Sequence, residues 1–191
     1  MLRQLSGWLQ QISTGWSTLA AIAAFLLFTV LVLPGQAAEA EAKTGTTTSP
    51  DTSFYYTPAD LYAMAEAYGP EGREAYIRAR FTFDLIWPIV YGAFLATTLS
   101  WTARRAFPAA GLGRHANLLP LLGVLFDYLE NTAASVVMAR YPNPTPAIAA
   151  VTPWFTMAKW ILIGASFGAL IVSLAMAAVR WLRGRGAAST A

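Results

Sequence analysis

Four long apolar stretches constrain this chain more than anything else in it. Residues 81–101, 118–138 and 154–181 each carry enough apolar residues for an α-helix to cross the roughly 30 Å hydrocarbon core of a bilayer, which takes about 20. A fourth stretch, 17–33 (STLAAIAAFLLFTVLVL), is shorter and ends at Pro34-Gly35. In lipid every backbone N–H and C=O must find a partner within the protein, so spans of this kind fold as helices. Trp16, Trp87, Trp101, Tyr141, Trp154 and Trp181 stand at or near the span ends, where amphipathic rings settle among headgroups. Charged residues make up only 12% of the chain, against about 25% in a soluble domain. The expected fold is all-α: an integral membrane four-helix bundle with a short helical extracytoplasmic segment between spans one and two.

Charge sets the orientation. The N-terminal stretch, the 104–117 loop and the C-terminal end carry Arg3, Arg104, Arg105, Arg114, Arg180, Arg183 and Arg185, and no acid. The opposite side carries Lys43, Arg73, Arg78, Arg80 and Arg140 together with Glu39, Glu41, Asp51, Asp60, Glu66, Glu71 and Glu74. Basic loops stay in the cytoplasm, so both termini are expected inside. The expected order is an amphipathic cytoplasmic N-terminus (1–16), span one (17–33), a flexible linker (34–53) and an extracytoplasmic helical segment (54–80). Span two (81–103), a cytoplasmic loop (104–117), span three (118–138), an extracytoplasmic loop (139–153), span four (154–182) and a cytoplasmic tail (183–191) complete it.

The first span has a rival reading. A charged start, an apolar run and Ala38-Glu39-Ala40 also suit a cleaved signal peptide. However, sixteen residues precede the run, and Leu2, Leu5, Leu9, Ile12 and Trp16 (with Trp8) recur at helical spacing, as in an interfacial helix. Retention is therefore expected. Cleavage would leave three spans in the same orientation.

Residues 36–52 are rich in Ala, Glu, Thr, Gly and Ser and read as linker. Thr57-Pro58-Ala59-Asp60 then supplies an N-cap, a proline at the first helical position and an acid at the third. That helix should run to Tyr68 and stop at Gly69-Pro70, with a second helical stretch from about Glu71 leading into span two. Leu61, Met64, Ala65 and Tyr68 share its apolar face, with Tyr55, Tyr56, Tyr62 and Tyr76 around it. The segment is either a helical hairpin on the membrane surface or a lid over the bundle's outer mouth.

Several chemistries are excluded. There is no cysteine, and His115 is the single histidine, so disulfides, thiol nucleophiles and Cys/His zinc sites are ruled out. Gly164-Ala165-Ser166-Phe167-Gly168 has the spacing of a hydrolase nucleophile elbow, but it lies mid-span, away from any histidine base. Its expected role is a small-residue helix-packing face through Gly164 and Gly168. Gly111-x-Gly113-x-x-Ala116 lacks the βαβ setting of a dinucleotide site. No metal, cofactor or nucleic-acid partner is expected.

The intramembrane polar residues are the positive signal. In span three, Asp127, Glu130 and Asn131 stand at i, i+3 and i+4 and so share one helix face, continued by Pro120, Gly123 and Ala134. Arg114 and Arg140 bracket the span 26 residues apart, about 39 Å along a helix, and Asp127 is 13 residues from each, near the midplane. A charge there costs roughly 2.5–3.5 kcal/mol even on the lenient insertion scale. Lys159 in span four, one turn after Thr156, is the candidate partner. In span two, Asp84 precedes Trp87-Pro88 and Tyr91 on one face, at a depth similar to that of Lys159. Asp84 is thus expected to pair with Lys159, unless both are interfacial and the lysine snorkels outward. Asp127 and Glu130 either fix helix register or form a ligand pocket, a proton relay or an acid/base site. Asp84, Tyr91, Asp127, Glu130, Asn131, Thr156 and Lys159 are the candidate site residues. Pro88 should kink span two and free a carbonyl for a polar neighbour.

Phe81-Thr82-Phe83-Asp84-Leu85-Ile86-Trp87-Pro88 with Tyr91-Gly92, then Asp127-x-x-Glu130-Asn131 and Thr156-x-x-Lys159-Trp160, form a combined pattern, preceded by Ala67-Tyr68-Gly69-Pro70-Glu71-Gly72-Arg73. It resembles a group of small, uncharacterised bacterial polytopic membrane proteins over roughly residues 54–180. The resemblance implies a bacterial inner membrane and a common unit of the last three spans. It implies no activity.

For function, the leading expectation is a non-enzymatic membrane protein. It would be an accessory subunit of a complex, or a binder of a lipophilic or cationic small molecule. The bilayer is its expected surrounding, with other membrane subunits or a lipophilic ligand as candidate partners. Acid/base catalysis on a lipid-like substrate and a proton or cation path are the alternatives.

Overall fold

A computed structural model describes residues 1–108 and 111–188, the side chains at 112 and 184–188 aside. Arg185's side chain, part of the expected cytoplasmic loop (109–110) and the end of the expected tail (189–191) lie outside this description. Among the described residues the fold is all-α. Four helical stretches, Gly15–Thr44, Pro58–Ala106, Gly113–Arg140 and Pro146–Arg183, are long and apolar enough to cross a membrane.

The amphipathic N-terminus is helix α1 (Leu2–Ile12). Span one begins as α2 (Gly15–Leu27) and passes through one wide π turn, Phe28–Val32, into α3 (Leu33–Thr44). The expected linker is thus helical as far as Thr44. Pro34 lies in the first turn of α3, where its missing N–H would have had no helical partner, and QAAEAEAK is a run of strong helix formers. The stop comes at Gly45, left-handed at φ 70°. A short 3₁₀ turn, Pro50–Thr52, then places Pro50 in a buried position, so the remainder of the expected linker is ordered too.

Helix α4 (Pro58–Arg80) starts as its sequence predicts. Asp60 N–H donates to the Thr57 hydroxyl at 3.2 Å, and Thr57 N–H donates to the Asp60 carboxylate at 2.8 Å. The Thr57 N–H and the Thr57 hydroxyl both donate to the exposed Asp60 carboxylate at 2.8 Å and hold it below the usual carboxylate range. The break at Gly69-Pro70 survives as a kink within α4, with Gly69 at φ 64° and ψ 178°. At Gly72 a Cβ would lie 3.0 Å from the Lys43 carbonyl oxygen, so a glycine lets α3 and α4 come this close. Helix α5 (Phe83–Ala106) and helix α6 (Leu119–Arg140) match spans two and three. A 3₁₀ segment, Leu112–Leu118, leads into α6. Helix α7 (Pro146–Ala188) starts eight residues before the expected span four, which shortens the expected 139–153 loop. Pro146 sits at its first position, where proline is well tolerated, and an Ala-rich run follows.

The chain divides into two compact units. One, here the basic unit, comprises Met1–Phe25, Tyr91–Leu122 and Leu162–Ala191; the other, the acidic unit, comprises Leu26–Val90 and Gly123–Ile161. All ten carboxylates of the sequence fall in the acidic unit, beside six Lys and Arg, whereas the basic unit has seven arginines and no acid.

In the acidic unit, Leu61, Met64, Ala65 and Tyr68 bury their shared face against Ala134, Val137 and Met138 of α6 and Ala149 of α7. The α4 segment therefore covers helices, as a lid would, rather than resting its apolar face on the membrane surface. Tyr68 fastens it by donating to the Thr48 carbonyl at 2.8 Å, and the Thr145 N–H donates to the Tyr62 hydroxyl at 2.7 Å. In the basic unit, Leu95, Leu99, Ala103 and Ala106 are buried along α5. The expected packing face on α7 is not used by another helix among the described residues. A Cβ added at Gly164 or Gly168 meets nothing within 4 Å, and both glycines are exposed. Small residues permit close approach but need a second helix to approach.

Candidate functional site

The site lies wholly within the acidic unit, and α6 supplies its centre. Asp127, Glu130, Asn131 and Ala134 are all buried, as the i, i+3, i+4 spacing predicts for a face turned to other helices. Asn131 Nδ2 donates to the Asp127 carboxylate at 3.0 Å. Glu130 has no exposed surface at all.

From α7, Lys159 meets this face. Its ammonium forms an ion pair with Glu130, donates to Asp51 Oδ1 at 3.0 Å and lies 3.9 Å from Asp127 Oδ1. At 3% exposure it does not snorkel. One turn earlier, the Thr156 hydroxyl shares a hydrogen bond of 3.0 Å with the Tyr56 hydroxyl. Burial, and after it the charge of Glu130, pushes the Tyr56 phenol above the ordinary tyrosine range, so Tyr56 remains neutral.

Arg80 completes the cluster at the end of α4. Its guanidinium pairs with Asp51 and, at 2.9 Å, with Asp84. It also donates to Asn131 Oδ1 at 3.4 Å and lies 4.6 Å from the ring centroid of Tyr76. In place of the direct Asp84–Lys159 pair expected from their similar depth, Asp84 pairs with Arg80, and Lys159 pairs with Asp51 and Glu130. Arg80 stands four residues before Asp84 on the chain, within ion-pair reach of it. Tyr91 is buried as well and belongs to the basic unit. Near Pro88, Tyr128 donates to the Leu85 carbonyl at 2.8 Å, whereas the carbonyl that the proline deprives of its helical N–H is that of Asp84.

Asp51, Arg80 and Tyr56 were not among the sequence candidates. Arg80 carried a readable signal, the i, i+4 spacing to Asp84. Asp51 carried only a weak one: Ser49-Pro50 opening a 3₁₀ turn inside an otherwise linker-like stretch.

Charge is the unusual quantity here. Asp51, Asp84, Asp127 and Glu130 face Arg80 and Lys159, four carboxylates to two cationic groups. The nearest carboxylate oxygens of Asp51, Asp127 and Glu130 lie within 4.8 Å of one another, a spacing suited to holding a cation, and the lysine ammonium is within ion-pair reach of all three. The buried Tyr76 hydroxyl has no hydrogen-bond partner among the described residues. Tyr76 and Arg80 also line a cavity of about 680 Å³ in the same unit, whose wall includes Glu39, Glu41, Glu71 and Glu74. That volume is within the range of small-molecule sites, about 300–1,000 Å³. By contrast, Ser166 bonds the Leu162 carbonyl at 2.7 Å in mid-helix and has none of the setting of a nucleophile elbow.

Compared with known protein families, curated proteins and solved structures, the chain matches none.

Proposed function

We propose that this chain is a non-enzymatic integral protein of a bacterial inner membrane, with both termini in the cytoplasm, that binds a small cationic molecule through its carboxylate cluster. The observation that carries the reading is the charge imbalance: the buried Asp84, Asp127 and Glu130 and the half-buried Asp51 are set against one arginine and one lysine. Buried charge of one sign is costly unless something of the opposite sign neutralises it. The neighbouring cavity sets Glu39, Glu41, Glu71 and Glu74 against Lys43, Arg78 and Arg80. The orientation is supported by the seven arginines and no acid of the basic unit.

The test uses the full chain in lipid nanodiscs. Its unfolding midpoint is followed with sodium, calcium, a linear diamine or a quaternary ammonium salt at constant ionic strength. One of these should raise the midpoint saturably, as a ligand does at about 2.7 kcal/mol when present at a hundred times its Kd. The rise should vanish in Glu130→Gln. If no cation shifts the midpoint beyond the ionic-strength control, the reading fails. A second reading, an accessory subunit of a larger complex, is favoured by the exposed Gly164/Gly168 face, which suits close packing of another chain's helix. Stoichiometric partner chains in native mass spectra of the same nanodiscs would favour it.

A further inference from the structure

Helix α1 presents three different arcs, which follow from the roughly 100° between successive helical residues. The first arc is held by the rest of the basic unit. Ser6, Leu9 and Ser13 are buried there, and Ser6 Oγ donates to Asn117 Oδ1 at 2.8 Å. Asn117 in turn donates to the Ser6 carbonyl at 3.1 Å and to Ser100 Oγ at 2.8 Å. Gln10 donates to the Arg114 carbonyl at 3.0 Å, and Arg104 donates to the Ser13 carbonyl at 2.5 Å. The second arc, about 100° round the helix, is apolar and bare: Leu5, Trp8 and Ile12 are 40–54% exposed. The third arc is polar, with Gln4 and Gln11 exposed.

A helix on a water-soluble surface would turn its apolar arc inward. Here Ser6, Ser13 and Gln10 face the protein with Leu9 between them, and an apolar arc is left uncovered beside a polar one. Three arcs of this kind fit one setting: a helix lying against its own protein at the boundary between water and hydrocarbon. The charge of the unit selects the lipid. Its seven arginines, with no acid among them, complement anionic headgroups. The guanidinium of the exposed Arg105 lies 3.6 Å from the ring centroid of Trp101, an amphipathic pairing suited to that boundary.

We infer that α1 is an interfacial anchor whose Leu5, Trp8 and Ile12 enter an anionic phospholipid surface, while the Ser6–Asn117–Ser100 clasp ties it to the protein. The inference requires the chain to sit in a bilayer and is independent of cation binding.

The absence of cysteine makes the test direct. Trp8→Cys, Ile12→Cys, Gln4→Cys and Gln11→Cys are made singly in the full chain, nitroxide-labelled and placed in phosphatidylcholine nanodiscs with or without phosphatidylglycerol. All four replaced side chains are exposed, so the labels leave the clasp in place. Oxygen, which concentrates in lipid, should relax the labels at 8 and 12. An aqueous nickel chelate should relax those at 4 and 11. The contrast should increase when phosphatidylglycerol is added. Equal accessibility at all four positions would overturn the inference, as would dipolar broadening between labels at position 8, which would mean that a second copy covers the arc. A contrast indifferent to phosphatidylglycerol would overturn its choice of anionic lipid.

Discussion

The two units satisfy their charges by different means. In the basic unit, arginines bond backbone carbonyls: Arg104 to Ser13, Arg105 to Trp101, and Arg114 to Phe107 and Arg104. The long-range contacts around them are neutral hydrogen bonds centred on Asn117. In the acidic unit Arg73 likewise donates to the Ala65 carbonyl, but the buried charges satisfy one another through Arg80 and Lys159, each pairing with more than one carboxylate. A guanidinium resting on a carbonyl at a helix end can be replaced with only local effect. A buried carboxylate that loses its cation is left with an uncompensated charge. The first arrangement is adequate for setting topology; the second couples several elements of its unit to one electrostatic balance.

The comparison breaks first at Lys159. Lys159→Met removes the cation from Glu130, Asp127 and Asp51, and should cost about 3–5 kcal/mol, the usual penalty for stripping one partner from a buried pair. Arg105→Met in the basic unit should change little, since that side chain is exposed. Unfolding in a common detergent measures both, and equal losses would erase the distinction drawn here. Adding Glu130→Gln to Lys159→Met should return part of the lost stability, because the leftover charge is then gone.

A smaller effect is expected at Asn117. Asn117→Leu removes its bonds to Ser6 and Ser100 and strands polar groups in a buried place, at a cost of about 1–3 kcal/mol. Limited proteolysis should then cut near residue 13 faster, with the cation response of the acidic unit unchanged. A lost cation response would show that the clasp and the cluster are coupled.

The sequence made some of this legible and concealed the rest for physical reasons. Asp127, Glu130, Asn131 and Lys159 could be read because a charge in an apolar helix is costly and must have a partner. The capping box at Thr57 and the break at Gly69 could be read because their chemistry is local. Asp51 could not, since its role comes from a loop folding back across more than seventy residues of chain to reach Asp127 and Lys159. Gly164 and Gly168 were readable as a close-packing pattern, but the pattern does not say which helix would do the packing, and none among the described residues does. The Asp84–Lys159 pair failed because depth alone does not choose partners when an arginine one turn away is available.

The placement of Lys159 also bears on how the protein is made. Helix α6 brings two buried carboxylates into the membrane, and the lysine that pairs with them arrives only on α7. Synthesised alone, α6 would present Asp127 and Glu130 to lipid with no lysine beside them. The two helices should therefore leave the insertion machinery as a hairpin. Nascent chains ending just before Lys159 should hold α6 at the translocon, crosslinkable there, while chains extended through α7 release it.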